Sequence, residues 1–98
     1  MAADEHLFIV AYDIASQKRW RRLFRVMHGY GAWLQLSVFQ CRMSRRRLAE
    51  LKTACAEVIN HDQDHVLILD LGPADTVKPR VESLGKSFEP VAREPIIV

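Results

Sequence analysis

The feature that most constrains this chain is the apolar run at residues 7–14, Leu-Phe-Ile-Val-Ala-Tyr-Asp-Ile, whose single carboxylate, Asp13, comes almost at its end. Six uncharged residues without polar alternation are typical of a strand that is covered on both faces, at the centre of a small sheet. Burying an unpaired carboxylate is strongly unfavourable, so we expect Asp13 at the carboxyl end of this strand, within reach of water, a cation or free backbone N–H groups.

The residues around Asp13 leave two roles open for it. It can be a turn or capping residue that precedes the next helix, or it can be a metal-binding or catalytic acid. Ser16 lies closer to the expected start of that helix and can itself be the cap. If Ser16 is the cap, Asp13 is available for other chemistry.

The size and composition of the chain predict a single domain spanning residues 1–98. Of its 98 residues, 49% are hydrophobic, which is enough for one core. No apolar run approaches the roughly 18 residues of a membrane span, and residues 1–6 lack the features of a secretory signal, so a cytoplasmic protein without membrane attachment is expected. Cys41 and Cys55 lie in apolar patterns and are expected to be buried thiols. The histidines lack metal-ligand spacing and are interpreted as surface or structural residues: His6, His28, His61 and His65.

Periodicity predicts the elements that follow the first strand. Helical spacing of apolar residues extends from Ser16 to about Gly29, and Gly29 and Gly31 are both available for a left-handed cap. Residues 32–43 are long for one strand, and a break around residues 35–37 would give two. Ser44 is expected to cap a second helix that runs to about residue 60.

The last third of the chain begins with an apolar strand at residues 65–71, which Gly72 and Pro73 stop. A short helical turn is expected within residues 75–84, and residues 86–98, with two prolines, are expected to form an edge strand or an extended tail. The resulting order is strand, helix, strand, strand, helix, strand. This order predicts an α+β, ferredoxin-like βαββαβ sandwich with a C-terminal extra strand. One sheet face lacks helices, and a two-fold homodimer is the simplest way to cover it.

Charge is distributed unevenly along the chain. Residues 1–52 carry ten Lys and Arg against four Asp and Glu, a net charge of +6, whereas residues 53–98 carry four against eight, a net charge of −4. The first helix alone contributes Lys18, Arg19, Arg21, Arg22 and Arg25, with like charges four residues apart that each cost about 0.3 kcal/mol. A solvated face is the ordinary explanation, but no acid lies between residues 16 and 47, which favours a phosphate-binding face.

The second helix begins with three arginines, Arg45, Arg46 and Arg47. Positive charge at the positive end of a helix dipole is the opposite of the stabilising arrangement. It becomes favourable when an anion binds there, since free N–H groups and arginines together make a phosphate site.

Several of these features together resemble the CRISPR-associated protein 2 family, the small subunit of the spacer-acquisition machinery. They are Tyr12-Asp13-Ile14, the basic first helix, Tyr30-Gly31, the stretch Gln-Leu-Ser-Val-Phe-Gln-Cys at residues 35–41, the long second helix and the terminal Ile-Val. The resemblance covers essentially the whole chain. It implies a homodimer whose C-terminal strands, within residues 86–98, add to the partner's sheet. It also implies a partnership with the CRISPR-associated protein 1 integrase, with the basic faces holding double-stranded DNA.

The resemblance further implies a metal-dependent nuclease acting on single-stranded RNA or double-stranded DNA. In that role Asp13 and its symmetry mate would approach one Mg²⁺ or another divalent cation, which is coherent because Mg²⁺ prefers one or two carboxylates and keeps several waters. The other residues carried over are Tyr12 and Ser37 as catalytic candidates, Phe39 as a supporting residue, and Arg19 and Arg22 as phosphate clamps. Many relatives have further acids directly after the Tyr-Asp-Ile triplet, where this chain has Ala15, Ser16 and Gln17.

Three functions therefore compete. The leading one is a scaffold that binds duplex DNA through phosphates, and the second is the nuclease centred on Asp13. The third is a ligand-sensing ferredoxin-like dimer, which needs a pocket between protomers that the sequence does not reveal.

Overall fold

Four antiparallel strands and two helices make up the computed structural model, which describes residues 4–85. In chain order the elements are β1 (His6–Asp13), α1 (Gln17–His28), β2 (Gly31–Gln35), β3 (Val38–Met43), α2 (Arg45–Val58) and β4 (His65–Pro73). The strands lie in the order β2-β3-β1-β4, so β1 is an inner strand that pairs with β3 and β4. The predicted ferredoxin-like α+β fold is confirmed, and the expected C-terminal strand lies outside the described residues.

The core lies between the sheet and the two helices. Alternate residues of β1 point toward the helices, where Phe8, Val10 and Tyr12 are buried. The other elements contribute Phe39, Cys41 and Met43 from β3, Leu23 and Met27 from α1, and Leu51, Cys55 and Val58 from α2. Both cysteines are buried thiols, as the apolar patterns around them predict.

Among residues 4–85, no helix covers the opposite face of the sheet, and we call it the bare sheet face. It carries Ile9, Ala11 and Asp13 of β1 and His65, Leu67 and Leu69 of β4. Leu67 and Leu69 are 52% and 47% exposed. The apolar run predicts a strand covered on both faces, whereas within the described chain the helices cover only one. Within residues 4–85, this face is therefore apolar but left uncovered by the helices.

Both helices begin at the predicted serine caps. The Ser16 hydroxyl accepts a hydrogen bond from the backbone N–H of Arg19, and the Ser44 hydroxyl accepts one from that of Arg47. The predicted left-handed cap at the end of α1 is wrong, because Gly29 has a φ of −80°. The last turn instead tightens, with the N–H of Gly29 donating to the Val26 carbonyl.

Gly31 is required for close approach, since a Cβ there would lie 2.5 Å from both the Cys41 Sγ and the Gln40 carbonyl oxygen. The predicted break at residues 35–37 is confirmed: β2 ends at Gln35, Leu36 adopts a φ of +38°, and β3 begins at Val38.

The predicted short helical turn forms, but it begins at Pro73 and ends at Val77, so it covers only the start of residues 75–84. After β4 the chain makes a single turn, in which the N–H groups of Thr76 and Val77 donate to the Pro73 carbonyl. Residues 77–84 then have no regular structure, and Pro79 restricts any helix there. In residues 4–85, neither helix is long and apolar enough to cross a membrane.

Candidate nucleic-acid interface and metal-binding residues

Asp13 lies at the carboxyl end of β1, on the bare sheet face, directly opposite His65 of β4. Its side chain is exposed, and within residues 4–85 it forms no hydrogen bond or ion pair. The capping role belongs to Ser16, which accepts the N–H of Arg19. Of the two roles that the sequence leaves open, the structure therefore assigns capping to another residue and leaves the Asp13 carboxylate free.

Residues 4–85 of one chain do not assemble a complete metal site. Among residues 4–85, no group of three or more His, Cys, Asp and Glu side chains is placed to hold a metal ion. Asp13 contributes one solvated carboxylate, which suits a hard divalent cation that keeps most of its water ligands. Asp13 thus fits one position of a divalent-cation site that needs further donors.

Tyr12 and Phe39 lie on the other side of the sheet from Asp13. The Tyr12 side chain is buried in the core, stacked near Phe39 with ring centroids 6.3 Å apart. Its hydroxyl has no hydrogen-bond partner among the described residues, and burial, with a smaller contribution from Cys55, raises the pKa of Tyr12 above its ordinary value. The structure brings neither residue to the face that carries Asp13.

Ser37 lies near Asp13, in the turn between β2 and β3. Its carbonyl accepts the backbone N–H of Tyr12 at 3.1 Å, and its hydroxyl accepts a hydrogen bond from Trp20 Nε1 at 2.7 Å. Trp20 is in turn stacked on Phe24, with ring centroids 5.1 Å apart, and packs partly buried against the core. Ser37 therefore anchors Trp20 at the end of the sheet, and no described base contacts its hydroxyl.

Arg19 pairs with the carboxylate of Asp64, which no sequence motif identifies. Its Nε donates to Asp64 at 2.8 Å and its Nη2 donates to the same carboxylate at 3.2 Å. Asp64 also accepts the backbone N–H groups of Ala15 and Asn60, each at 2.8 Å, and its side chain has no exposed surface. These contacts, that of Arg19 foremost, hold the pKa of Asp64 well below its usual range against the opposing effect of desolvation.

The Asp64 contacts join three parts of the chain at the Asp13 end of the sheet: the β1–α1 loop, the first turn of α1 and the α2–β4 loop. Arg19 also donates to Gln63 at 3.1 Å. The family resemblance implies Arg19 as a phosphate clamp, and in the structure its guanidinium is engaged in holding these loops together. The sequence places two acids in the polar turn at residues 61–64, and either Asp62 or Asp64 could have been the partner of Arg19.

Four other cations on α1 do form an open row, which we call the α1 basic row: Lys18, Arg21, Arg22 and Arg25. All four side chains are exposed, and within residues 4–85 none has an ion pair or hydrogen bond. The first turn of α1 contains no acidic residue. From first to last the row spans about 10 Å, or about three base-pair steps of B-DNA. The predicted basic face of the first helix is therefore present and accessible.

The three arginines of α2 are not equivalent. Arg47 donates to the Gly29 carbonyl at 2.8 Å and to Glu50 at 3.1 Å, and its guanidinium lies 4.0 Å from the Tyr30 ring centroid. Arg46 is 3.9 Å from Glu50, and Arg45 has no partner among the described residues. Arg47 is thus a partly exposed link between α2 and the end of α1, whereas Arg45 is exposed and the side chain of Arg46 is 92% exposed.

The α2 arginines are also remote from Asp13. They follow Met43, which pairs with His6 at the start of β1, whereas Asp13 is at its end. Helix α1 connects the two ends, and its 12 residues span about 18 Å. The structure therefore does not combine Asp13 with Arg45–Arg47 in one site.

Comparison with known proteins gives a consistent result. The chain matches a family model described as CRISPR associated protein Cas2 over residues 6–78. It is 62% identical to a protein of Geobacter sulfurreducens named CRISPR-associated endoribonuclease Cas2, over 96% of this chain and 99% of that protein. A Rhodospirillum rubrum protein named CRISPR-associated endoribonuclease Cas2 1 is 52% identical, over 96% of this chain and 92% of that protein.

Two solved structures have the same fold. A hypothetical protein from Thermus thermophilus superposes with a TM-score of 0.72 at 32% identity, covering 88% of this chain and 98% of that one. Streptococcus pyogenes Cas2 at pH 6.5 superposes with a TM-score of 0.71 at 27% identity, covering 81% and 99%.

Proposed function

Because the chain belongs to the CRISPR-associated protein Cas2 family, we propose that it binds double-stranded DNA by its phosphates within a CRISPR system. The observation that carries this proposal is the α1 basic row, four exposed cations without an acidic neighbour in their helix. Each like-charge pair destabilises the free helix slightly, and a line of phosphates removes that cost. Such contacts position the duplex without reading its sequence.

In this proposal the protein acts as a homodimer joined through the bare sheet face. The support is the pair of half-exposed leucines, Leu67 and Leu69, on a face that neither α1 nor α2 covers. Two-fold pairing would bury both copies of this surface at once. The family resemblance further supports a partnership with the CRISPR-associated protein 1 integrase during spacer acquisition, in which the dimer bridges integrase subunits.

A second function, metal-dependent cleavage of single-stranded RNA or duplex DNA, is favoured by the free carboxylate of Asp13. The relatives named above are called endoribonucleases. A divalent cation, when bound, would supply Lewis-acid activation of water for attack on a phosphodiester. Of this chain's own residues, Asp13 would bind the cation at a position that stays accessible to water, and the α1 basic row would bind the phosphates. Tyr12 and Ser37 remain candidates for this reaction on the family resemblance alone.

The DNA-binding proposal is tested by titrating a labelled duplex at several salt concentrations and following fluorescence anisotropy. We expect the logarithm of the binding constant to fall linearly with the logarithm of the salt concentration. Arg22→Gln should reduce the magnitude of this slope by about 0.9, the contribution of one phosphate contact. Combining Lys18→Gln, Arg22→Gln and Arg25→Gln should remove most of the salt dependence. The matched control is Lys52→Gln, an exposed cation on the other helix.

A salt-independent affinity, or a triple variant that binds like wild type, would refute DNA binding through the α1 basic row. A thermal shift with a small metabolite and none with DNA would favour the ligand-sensing alternative.

The nuclease function is tested with labelled RNA and duplex DNA, with and without Mg²⁺. Asp13→Asn should abolish cleavage and Asp62→Asn should not, so equal cleavage by Asp13→Asn would indicate a contaminating nuclease.

A further inference from the structure

We propose that His65 is a second metal ligand beside Asp13, so that each chain offers a divalent cation one carboxylate oxygen and one imidazole nitrogen. This inference rests on the metal-binding part of the proposed function. Its origin is the register of β1 and β4, in which Asp13 and His65 are directly opposite each other. Side chains opposite each other across two antiparallel strands lie on the same face, with Cβ atoms about 4.5–5.5 Å apart.

Among residues 4–85, His65 differs from the other three histidines because its side chain makes no hydrogen bond, ion pair or ring contact. His6 is hydrogen-bonded to Asp70 at 2.8 Å, His61 to the Ala56 carbonyl at 3.0 Å, and His28 packs edge-on against Phe24. The His65 side chain is exposed, and within residues 4–85 nothing fixes its ring. The Asp13 side chain is likewise exposed and makes no hydrogen bond or ion pair within residues 4–85. Two unpaired side chains of metal-binding chemistry thus share one end of the bare sheet face.

The backbones that carry these two side chains are held in place by one buried group. Asp64 directly precedes His65 and accepts the backbone N–H of Ala15, two residues after Asp13, at 2.8 Å. It also accepts the N–H of Asn60, and Arg19 pairs with it from α1. A metal site gains affinity when its ligands are positioned by a rigid surrounding structure, and the Asp64 contacts supply that rigidity here.

A mixed nitrogen and oxygen donor set selects among divalent cations. Mg²⁺ prefers oxygen ligands and keeps its waters, whereas imidazole is a good ligand for the first-row transition metals. We therefore infer that the site binds Mn²⁺ more tightly than Mg²⁺. If two chains pair through the bare sheet face, the two Asp13–His65 pairs supply four donors at one interface.

The experiment uses tag-free full-length protein at pH 7.5, titrated with MnCl₂ and MgCl₂ by calorimetry, and then examined with bound Mn²⁺ by pulsed EPR. In wild type we expect the electron spin-echo modulation of a directly coordinated nitrogen. His65→Gln should lose that modulation and bind Mn²⁺ about tenfold more weakly or worse, with a less than about twofold change for Mg²⁺. His61→Gln, a matched substitution in the neighbouring turn, should behave as wild type.

Mn²⁺ bound without nitrogen modulation, or wild-type Mn²⁺ affinity in His65→Gln, would overturn the assignment of His65. Asp13→Asn separates this failure from that of the metal site itself. If Asp13→Asn abolishes Mn²⁺ binding while His65→Gln changes nothing, only the second ligand is wrong. If wild type binds no Mn²⁺, or Asp13→Asn binds it normally, metal binding at this end of the sheet is refuted along with the inference.

Discussion

Arg19 donates two hydrogen bonds to Asp64, from Nε at 2.8 Å and from Nη2 at 3.2 Å, and the accepting side chain has no exposed surface. Asp64→Asn keeps the shape of the group but leaves the guanidinium without its counter-charge and weakens the bonds from two backbone N–H groups. We expect the melting temperature to fall by about 10 °C or more. Circular dichroism on heating measures this, and Asp62→Asn in the same turn should change it by less than about 2 °C. A wild-type melting temperature for Asp64→Asn would show that the pair is not structurally important.

The same carboxylate makes stability depend on acid. Its pKa in the folded chain is held below the ordinary 3.8, so the unfolded chain binds the proton more tightly. The stability contributed by Asp64 is therefore complete above about pH 5 and is lost as the pH falls through 4 toward the folded pKa. Urea titrations across this range should show a difference between wild type and Asp64→Asn that is largest near neutrality and shrinks below pH 4. A difference that is constant with pH would contradict the ionised pair.

Removing the Tyr12 hydroxyl should not destabilise the protein. The hydroxyl is buried without a partner among the described residues, so Tyr12→Phe removes a desolvation cost and should raise the free energy of unfolding by about 0–1 kcal/mol. Trp20→Phe is the contrasting variant, since it deletes a donor that is paired with Ser37 at 2.7 Å, and it should lower stability. Chemical denaturation measures both, and a loss of stability or of cleavage in Tyr12→Phe would argue for a role of the hydroxyl.

A charge on the bare sheet face should separate the proposed dimer. Leu69 is 47% exposed on the face without helices, and Leu69→Glu would place a carboxylate in a desolvated interface. Light scattering should give about twice the chain mass of 11.3 kDa for wild type and a single chain mass for the variant. Ala49→Glu, on the solvent side of α2, should remain dimeric. A dimer that persists in Leu69→Glu would place the interface elsewhere.

Local pattern was sufficient to predict the elements of this fold. Ser16 and Ser44 cap the helices as expected, and the break at residues 35–37 is where polar residues interrupt the apolar stretch. These features depend on neighbouring residues only, so the sequence contains all the information they require.

The site depends on contacts between distant segments, and there the sequence was less informative. Asp62 and Asp64 look alike in their turn, yet Asp64 alone is buried against Arg19. The opposition of Asp13 and His65 is set by strand register, which spacing along the chain does not reveal. Tyr12 is a catalytic candidate on the family resemblance, although the twofold alternation of a strand already places it on the face opposite Asp13.

The positions of the bare sheet face and the α1 basic row, on opposite sides of the sheet, determine the valency of the proposed assembly. Two chains that meet through their leucines keep both rows on the outside, facing away from each other. One dimer then has two equivalent binding surfaces for a polyanion. A polyanion long enough to contact both rows binds more tightly through avidity, with no additional contact required.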